Sequence, residues 1–463
     1  MKKLVYPEID WQPQNIRVCY EVVLKLWPLS PWVVPQESLN LACRDERLPL
    51  ACKEFLQKNS AGRLVGSGKG CCYGLFAVDS LALHKYPYLK PAFALPLMWK
   101  AGSKHAEGLP DSLKRLAEEI RMAVSPDQVW GLQDNLGEPC DLRELWHFQK
   151  QDGCSFDSVW APLTAALLLA KEGGMPDPTV WATAAWDANQ GIGSINGLDG
   201  KIVAVYDLGG KTLFVPTSNE QEAKTLNQRI AQGRQCQPLK IEALECGTTN
   251  IKQVLRPYLS ALDYPPDQSQ PLDLRCNYYQ RQVERGVKEA NQYYQKHLQE
   301  ELAEECRKRG IQDLEATALS NLDSLISFVS LNPEGALFVI SALRPRHILL
   351  FYTKESERHV AQVEDKIKKY HGVAEKILFA DENSVAEDRR VAEKIRDFVS
   401  RHGAARTAID VTPGQKDFTV ITTMAVNASL TPLLYLCHYW NNTTRSFAAG
   451  KERIRRLLPT EKT

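Results

Sequence analysis

No stretch of this chain reaches eighteen apolar residues, so no membrane-spanning helix is expected; the longest apolar segment, Ala161 to Ala170, has the length of a buried helix. The opening MKKLVYPEID carries two lysines but runs on into charge and proline, which is not the pattern of a secretory leader. A charge excess is lacking too. The formal net charge is +1, so there is no global electrostatic footprint for nucleic acid or a membrane surface, and any anionic ligand must be held by a local site. The twelve cysteines include no C-x-x-C pair, and the nine histidines include no H-x-x-x-H or H-E-x-x-H. Neither a metal site nor a cofactor is therefore expected, and cysteines without a leader read as reduced thiols in a cytoplasmic protein.

What is present is an ordinary globular composition, 44% apolar and 24% charged, over 463 residues, which is long enough for two or three domains. Residues 1 to about 262 mix strand-like and helical runs and are rich in Trp and Pro. The segment YPPDQSQPLD (Tyr264 to Asp273) reads as a linker. From about Arg275 to Arg309 a proline-free, charged pattern predicts a connecting or dimerising helix. Its Tyr279, Val283, Val287, Ala290, Tyr294, Leu298 and Leu302 recur at steps of three or four.

The C-terminal block alternates regularly. LISFVSL, HILLFYT, KILFA, TAIDV and PLLYLCHYW read as strands, separated by helices of which two are long and charged. Continuous apolar strands indicate burial on both faces, and the alternation predicts a doubly wound parallel sheet. Such sheets bind ligands beyond the carboxyl ends of their strands. The first strand ends in Ser330-Leu331-Asn332-Pro333-Glu334-Gly335, the second in Thr353, and the fourth in Asp410-Val411-Thr412-Pro413-Gly414-Gln415-Lys416. The first and fourth of these loops offer polar side chains, a glycine and backbone N–H groups at a helix N-terminus, which favour phosphate; Lys416 adds a mobile charge. Neither loop carries the G-x-G-x-x-G dinucleotide fingerprint.

This block resembles the CARF domain, the CRISPR-associated Rossmann fold that senses cyclic oligoadenylates. Asp410, Thr412, Gly414 and Lys416 match that family's Asp-hydrophobic-Thr-x-Gly-x-Lys, with Gln415 where Thr is frequent and Pro413 where Gly is frequent. The resemblance covers roughly residues 322–450. It implies a cyclic oligoadenylate ligand, with cyclic tetra-adenylate the first choice. Because such a ring is two-fold symmetric, it also implies a homodimer presenting the same loops to both halves. Contacts are then expected from Ser330, Asn332, Pro333, Glu334, Gly335, Thr353, Thr412, Pro413, Gly414, Gln415 and Lys416.

A second resemblance covers roughly residues 62–262. Asp152-Gly153-Cys154-Ser155 followed by an apolar helix, then GSINGLDGKIVAV, LFVPTSNEQEAK and IEALECGTTNIKQVL, is similar in order to the proteolytic domain of Lon proteases, an α+β fold using a Ser–Lys dyad. The Asp-Gly before it marks Ser155 as nucleophile, whereas counting back from the helix end marks Ser158. Without gaps, the family's Gly-Gly-Leu-Lys falls on Asn196-Gly197-Leu198-Asp199, so Asp199 is expected at the lysine position. Lys201, roughly 200° further round a helix, is expected on the opposite face. The glycines of GRLVGSGKG (Gly62 to Gly70) do not have P-loop spacing, so no ATPase is expected.

The resulting expectation is an α/β chain in four parts. An extension of unknown type (1–60) precedes a degenerate Lon-like domain (61–262) that could dock a protein partner. A linker and connecting helix (263–320) lead to the CARF domain (321–463). The leading functional reading is a metal-independent ring nuclease, in which the ring's own 2′-hydroxyl attacks the adjacent phosphate. Ser330 and Asn332 would orient the ribose or phosphate, and Lys416 would offset developing charge. The alternatives are a ligand-activated Lon-like serine protease and a messenger-binding regulator without enzymatic activity.

Overall fold

A computed structural model describes residues 68–78, 90–136, 156–245, 249–312, 321–380, 384–412, 416–428 and 430–457, together with residue 314 and scattered residues between 32 and 54. The chain divides into two compact units, Met1–Tyr264 and Pro265–Thr463.

The N-terminal unit is mixed α and β. Strands β1 (Cys71–Ala77), β2 (Ala92–Ala101) and β3 (Trp130–Asp134) form an antiparallel sheet, with helix α1 (Asp111–Val124) between the last two. Helix α2 (Trp160–Lys171) is buried at every position from Trp160 to Ala170. A helix that is apolar all round belongs in a core, and α2 is packed there with Trp99, whose indole N–H donates to the Leu163 carbonyl at 2.8 Å. A hairpin of β5 (Ala185–Asp187) and β6 (Gly191–Gly193) follows β4 (Val180–Ala182). Helices α3 (Leu198–Asp207) and α4 (Glu220–Arg234) connect β4 to β7 (Thr212–Pro216) and β8 (Lys240–Leu244), which form a parallel sheet in the order β4-β7-β8. Helix α5 (Ile251–Leu262) closes the unit.

The C-terminal unit begins with three helices, α6 (Leu272–Glu284), α7 (Ala290–His297) and α8 (Gln299–Arg309). The single helix expected over 275–309 is broken here by Gly286, which takes φ +73°, and by a bend at Leu298. The expected face survives the breaks: Tyr279, Val283, Ala290, Tyr294, Leu298 and Leu302 are all buried in one core with Leu325, Phe338 and Leu350. These helices thus belong to the core of the sheet that follows.

That sheet has six strands: β9 (Ser324–Val329), β10 (His347–Tyr352), β11 (Val373–Leu378), β12 (Thr407–Asp410), β13 (Leu433–Cys437) and β16 (Arg453–Leu457). Helices α9 (Glu334–Leu343), α10 (Val360–Lys369), α11 (Val385–His402) and α12 (Lys416–Ala425) alternate with its first five strands. The spatial order is β11-β10-β9-β12-β13-β16, parallel except for β16, which runs antiparallel to β13. Alternate residues of one strand enter two different cores. Leu325 and Val329 of β9 join the first, and Ile326 and Phe328 join a second with α11 and α12. This two-sided burial is why the central strands are apolar throughout. Edge strand β11 is mostly exposed and carries Glu375 and Lys376, a pattern that discourages further pairing. A small hairpin, β14 (Trp440–Asn441) with β15 (Ser446–Phe447), precedes β16. No helix among the described residues is long and apolar enough to cross a membrane.

Candidate functional site

Two places gather chemistry, one in each unit. In the C-terminal unit, β9 leads through α9 and β10 toward one edge of the sheet, whereas β12 leads through α12 and β13 toward the other. The switch point therefore lies between the adjacent strands β9 and β12, and ligands of open parallel sheets bind at the carboxyl ends of such a pair. Ser330 and Asn332 follow β9. The Ser330 hydroxyl donates to the Asn332 carbonyl at 2.8 Å and accepts from the Asn332 N–H at 3.3 Å, so it shapes its own turn. Pro333 is buried, and Glu334 opens α9. A methyl group on Gly335 would lie 3.6 Å from the Thr412 methyl and 3.8 Å from the Tyr439 ring, so the two loops touch here and a long side chain would separate them.

Thr412 is braced from both sides. Its N–H donates to Asp410 Oδ1 at 3.0 Å, and its hydroxyl accepts from the Leu436 N–H at 2.8 Å. Asp410 is fully buried and also accepts from Ser327 at 3.0 Å. Burial pushes its carboxyl up to about 6, against the opposing pull of the Thr412 and Ser327 hydrogen bonds. Asp410 thus holds the loop from beneath rather than facing a ligand. Lys416 is the first residue of α12, while Pro413, Gly414 and Gln415 lie outside the described residues. Thr353 follows β10 at the same edge of the sheet, buried, with its N–H donating to Ser356 Oγ at 3.0 Å.

Glu334 changes the anion argument for the first loop. Its carboxylate sits at the N-terminus of α9 and accepts from the Gln295 amide at 2.9 Å, and its carbonyl accepts from Gln299 at 3.1 Å. The positive end of that helix already has a negative partner. Helix α12 opens with Lys416 followed by Asp417, one charge of each sign.

In the N-terminal unit, Ser158 lies in a single 3-10 turn, Asp157–Val159, that runs into α2. Its carbonyl accepts from the Ala184 N–H at 3.0 Å and from the Thr183 hydroxyl at 3.2 Å. Its own hydroxyl donates to the Leu75 carbonyl of β1 at 3.4 Å. Lys201 points into the same place: Nζ donates to the Thr183 hydroxyl at 3.3 Å, and the residue is only 2% exposed. Among the described residues it forms no ion pair with a carboxylate. Desolvation alone pulls its amine down to about 8.

Asp199 and Lys201 point to opposite sides of α3, with Asp199 exposed and Lys201 buried. Leu198, Lys201, Ile202 and Val205 form the buried stripe, at the i, i+3, i+4, i+7 spacing of a helix face. Two glycines allow the close packing behind this. Gly197 caps the helix at φ +68°, where a Cβ would come within 2.8 Å of the Ala77 methyl, and a Cβ on Gly200 would meet the Ala92 backbone at 3.0 Å. Ser155 lies outside the described residues.

Sequence reasoning missed two contributors. Thr183 links Lys201 to Ser158 but sits in the apolar run WATAAW, with nothing local to mark it. Asn219 is buried, accepting from the Ile195 N–H at 2.9 Å and donating to the Ile195 carbonyl at 3.1 Å, so it pins the segment that leads into α3. Its signal is the polar run Thr217-Ser218-Asn219 that follows Val215-Pro216. No group of three or more His, Cys, Asp and Glu side chains among the described residues is arranged to hold a metal.

No protein-family model matches this sequence, and no curated protein matches it. The fold is that of a mixed α/β chain, with a six-stranded, mostly parallel sheet in its C-terminal unit and, in its N-terminal unit, a buried lysine linked through Thr183 to the Ser158 carbonyl.

Proposed function

We propose that this chain is a serine–lysine hydrolase acting on peptide bonds, controlled by a cyclic oligoadenylate held at the β9/β12 loops of its C-terminal unit. The observation that carries the reading is Lys201: a desolvated amine that, among the described residues, has no carboxylate partner, joined through Thr183 to the turn that holds Ser158. Burying a lysine without a counter-charge is costly, and catalytic sites are where such shifted groups collect. With its amine at about 8, roughly a tenth of Lys201 is neutral at pH 7, enough to serve as a base.

The chemistry then runs through these residues. Ser158 Oγ attacks the carbonyl carbon of the scissile amide while its proton passes to Lys201 Nζ. The tetrahedral intermediate collapses, the C–N bond breaks, and Lys201 returns the proton to the departing amine. Water then attacks the acyl-serine ester, with Lys201 taking its proton; the Oγ–C bond breaks as Lys201 returns that proton to Ser158 Oγ, which frees the acid and restores both side chains. Thr183 ties the amine to the backbone of the turn that carries Ser158.

Cyclic oligoadenylate at the switch point is supported by the adjacency of the two loops, the Lys416 helix start and the resemblance of Asp410, Thr412, Gly414 and Lys416 to the CARF motif. Control of hydrolysis requires that the ligand bind one state of the protein more tightly than the other. A homodimer with the ring on its axis fits the two-fold symmetry of such a ligand.

The test is labelling by a fluorophosphonate probe with and without cyclic tetra-adenylate, with the nucleotide followed by chromatography in EDTA. Ligand-dependent labelling, lost in both Ser158→Ala and Lys201→Ala, is expected. Linear products without labelling would replace this reading with that of a ring nuclease. A tightly bound intact ring without labelling would leave a regulator that carries no chemistry.

A further inference from the structure

The helices that open the C-terminal unit enclose a cavity of about 410 Å³ that neither the switch-point loops nor the Ser158 site uses. Its walls are aromatic. Tyr278 and Tyr293 meet edge to face with ring centres 4.8 Å apart, and His297 lies 4.8 Å beyond Tyr293. Pro266 closes one side, where its carbonyl accepts from the Tyr293 hydroxyl at 3.1 Å. The volume lies within the range of small-ligand pockets, and the lining is mostly apolar with few polar groups, as such pockets are.

The charged groups that reach the cavity are both acidic. Asp267 comes from the segment before α6 and Glu289 from the turn before α7, and both are exposed to solvent at its edge. Of the cations near its wall, Lys296 and Arg275, neither lines the cavity; Arg275 is buried and bonds Glu301, the Gln270 carbonyl and the His297 carbonyl. Behind the wall, His297 Nδ1 is sealed from the cavity and, among the described residues, has no hydrogen-bond partner. Burial, with help from Lys296 and Arg275, lowers the His297 pKa, so the ring adds no positive charge to the wall at neutral pH. Aromatic faces attract a cation through their quadrupoles, and the carboxylates add the sign.

We propose that this cavity binds a primary alkylammonium group, with its methylene stem against Tyr278 and Tyr293 and its N–H donors directed to Asp267 and Glu289. A free polyamine and the lysine side chain of a peptide share this chemistry. The site is independent of the hydrolase reading, because it uses none of the same residues.

The experiment is calorimetric titration of the full chain with spermidine and, separately, with Nα-acetyl-lysine amide. A probe acetylated on its side-chain nitrogen serves as the neutral control. Saturable binding of at least one charged probe is expected, weakened by salt, with none by the neutral one. The Asp267→Asn/Glu289→Gln double variant should lose tenfold or more in affinity, and Tyr278→Leu about fivefold, with circular dichroism unchanged in both. Binding by spermidine alone assigns the site to a free polyamine, and binding by the lysine amide as well extends it to peptides. No saturable binding at millimolar concentration, or equal affinity in the folded double variant, overturns the proposal.

Discussion

Each unit buries one ionisable group beside its candidate site, and the two are treated in opposite ways. Asp410 sits under the switch-point loop with hydrogen bonds from the Thr412 N–H and the Ser327 hydroxyl, both at 3.0 Å. Among the described residues Lys201 has one partner, the Thr183 hydroxyl at 3.3 Å. Both are pushed toward neutrality by desolvation, to about 6 and about 8. Asp410, however, is surrounded by donors that fix its position and so acts as a brace. Lys201 keeps an amine that is poorly satisfied and close to titrating. A buried group held by several partners shapes a loop, whereas a buried group held by one is available for chemistry.

The widest separation between the units is expected from variants at Lys201. Lys201→Ala and Lys201→Arg should each lower hydrolysis by about 10³-fold or more, since arginine cannot give up its proton near neutral pH. Cyclic tetra-adenylate affinity should stay within twofold of the parent. Rates for the parent should rise with pH through an inflexion near 8, the pKa of the buried amine. A Lys201→Arg variant that retained most of its hydrolysis would remove Lys201 from the chemistry and the contrast with it.

The two groups should also tilt stability in opposite directions. Lys201 falls from 10.5 unfolded to about 8 folded, so the unfolded chain binds more protons between those values. Stability therefore rises with pH across that window, by on the order of 3 kcal/mol, and the loss is complete below pH 8. Asp410 climbs from 3.8 to about 6, so the folded chain binds more protons there. Its contribution is present below pH 3.8 and lost as pH rises to 6, again on the order of 3 kcal/mol. Lys201→Met should flatten the alkaline rise and Asp410→Asn the acidic fall, as measured by urea midpoints across pH. A slope of the same sign in both windows would refute the comparison.

Much of this was legible from the residues alone, and the parts that were not share a cause. The strands LISFVSL, HILLFYT and TAIDV could be read because burial on both faces leaves continuous apolar runs. The strand over Arg453–Leu457 escaped notice because, at the sheet edge, only Ile454 is fully buried among arginines. The switch-point loops followed from element order. The direction of Lys201 was also available, because Leu198, Lys201, Ile202 and Val205 keep the spacing of a buried helix face; aligning Asp199 to a family lysine concealed it. Thr183 and Asn219 act across 18 and 24 residues of sequence, and no local pattern records such a partner.

Asn219 offers a smaller effect on one side only. Its side chain satisfies both backbone groups of Ile195, and alanine would leave a buried N–H and carbonyl without partners. Asn219→Ala should cost about 2 kcal/mol in chemical denaturation. It should also lower hydrolysis more than it lowers probe binding, because the start of α3 carries Lys201. Loss of stability with an unaltered rate would make Asn219 a fold residue and leave Lys201 positioned by the glycines alone.

The finest test probes the brace itself. Thr412→Val keeps the shape of the side chain but removes the oxygen that accepts from the Leu436 N–H at 2.8 Å, while the Asp410 bond to its backbone remains. One support of the loop is lost and the other kept, so the loop should loosen without unfolding. Nucleotide affinity should fall about tenfold, equivalent to roughly 1.4 kcal/mol, and basal probe labelling at Ser158 should not change. If affinity is unaffected, the loop is held by Asp410 alone and Thr412 contributes only its contact with Gly335. If labelling falls in the absence of nucleotide, the two units are coupled even without ligand, and brace and base cannot be treated as separate devices.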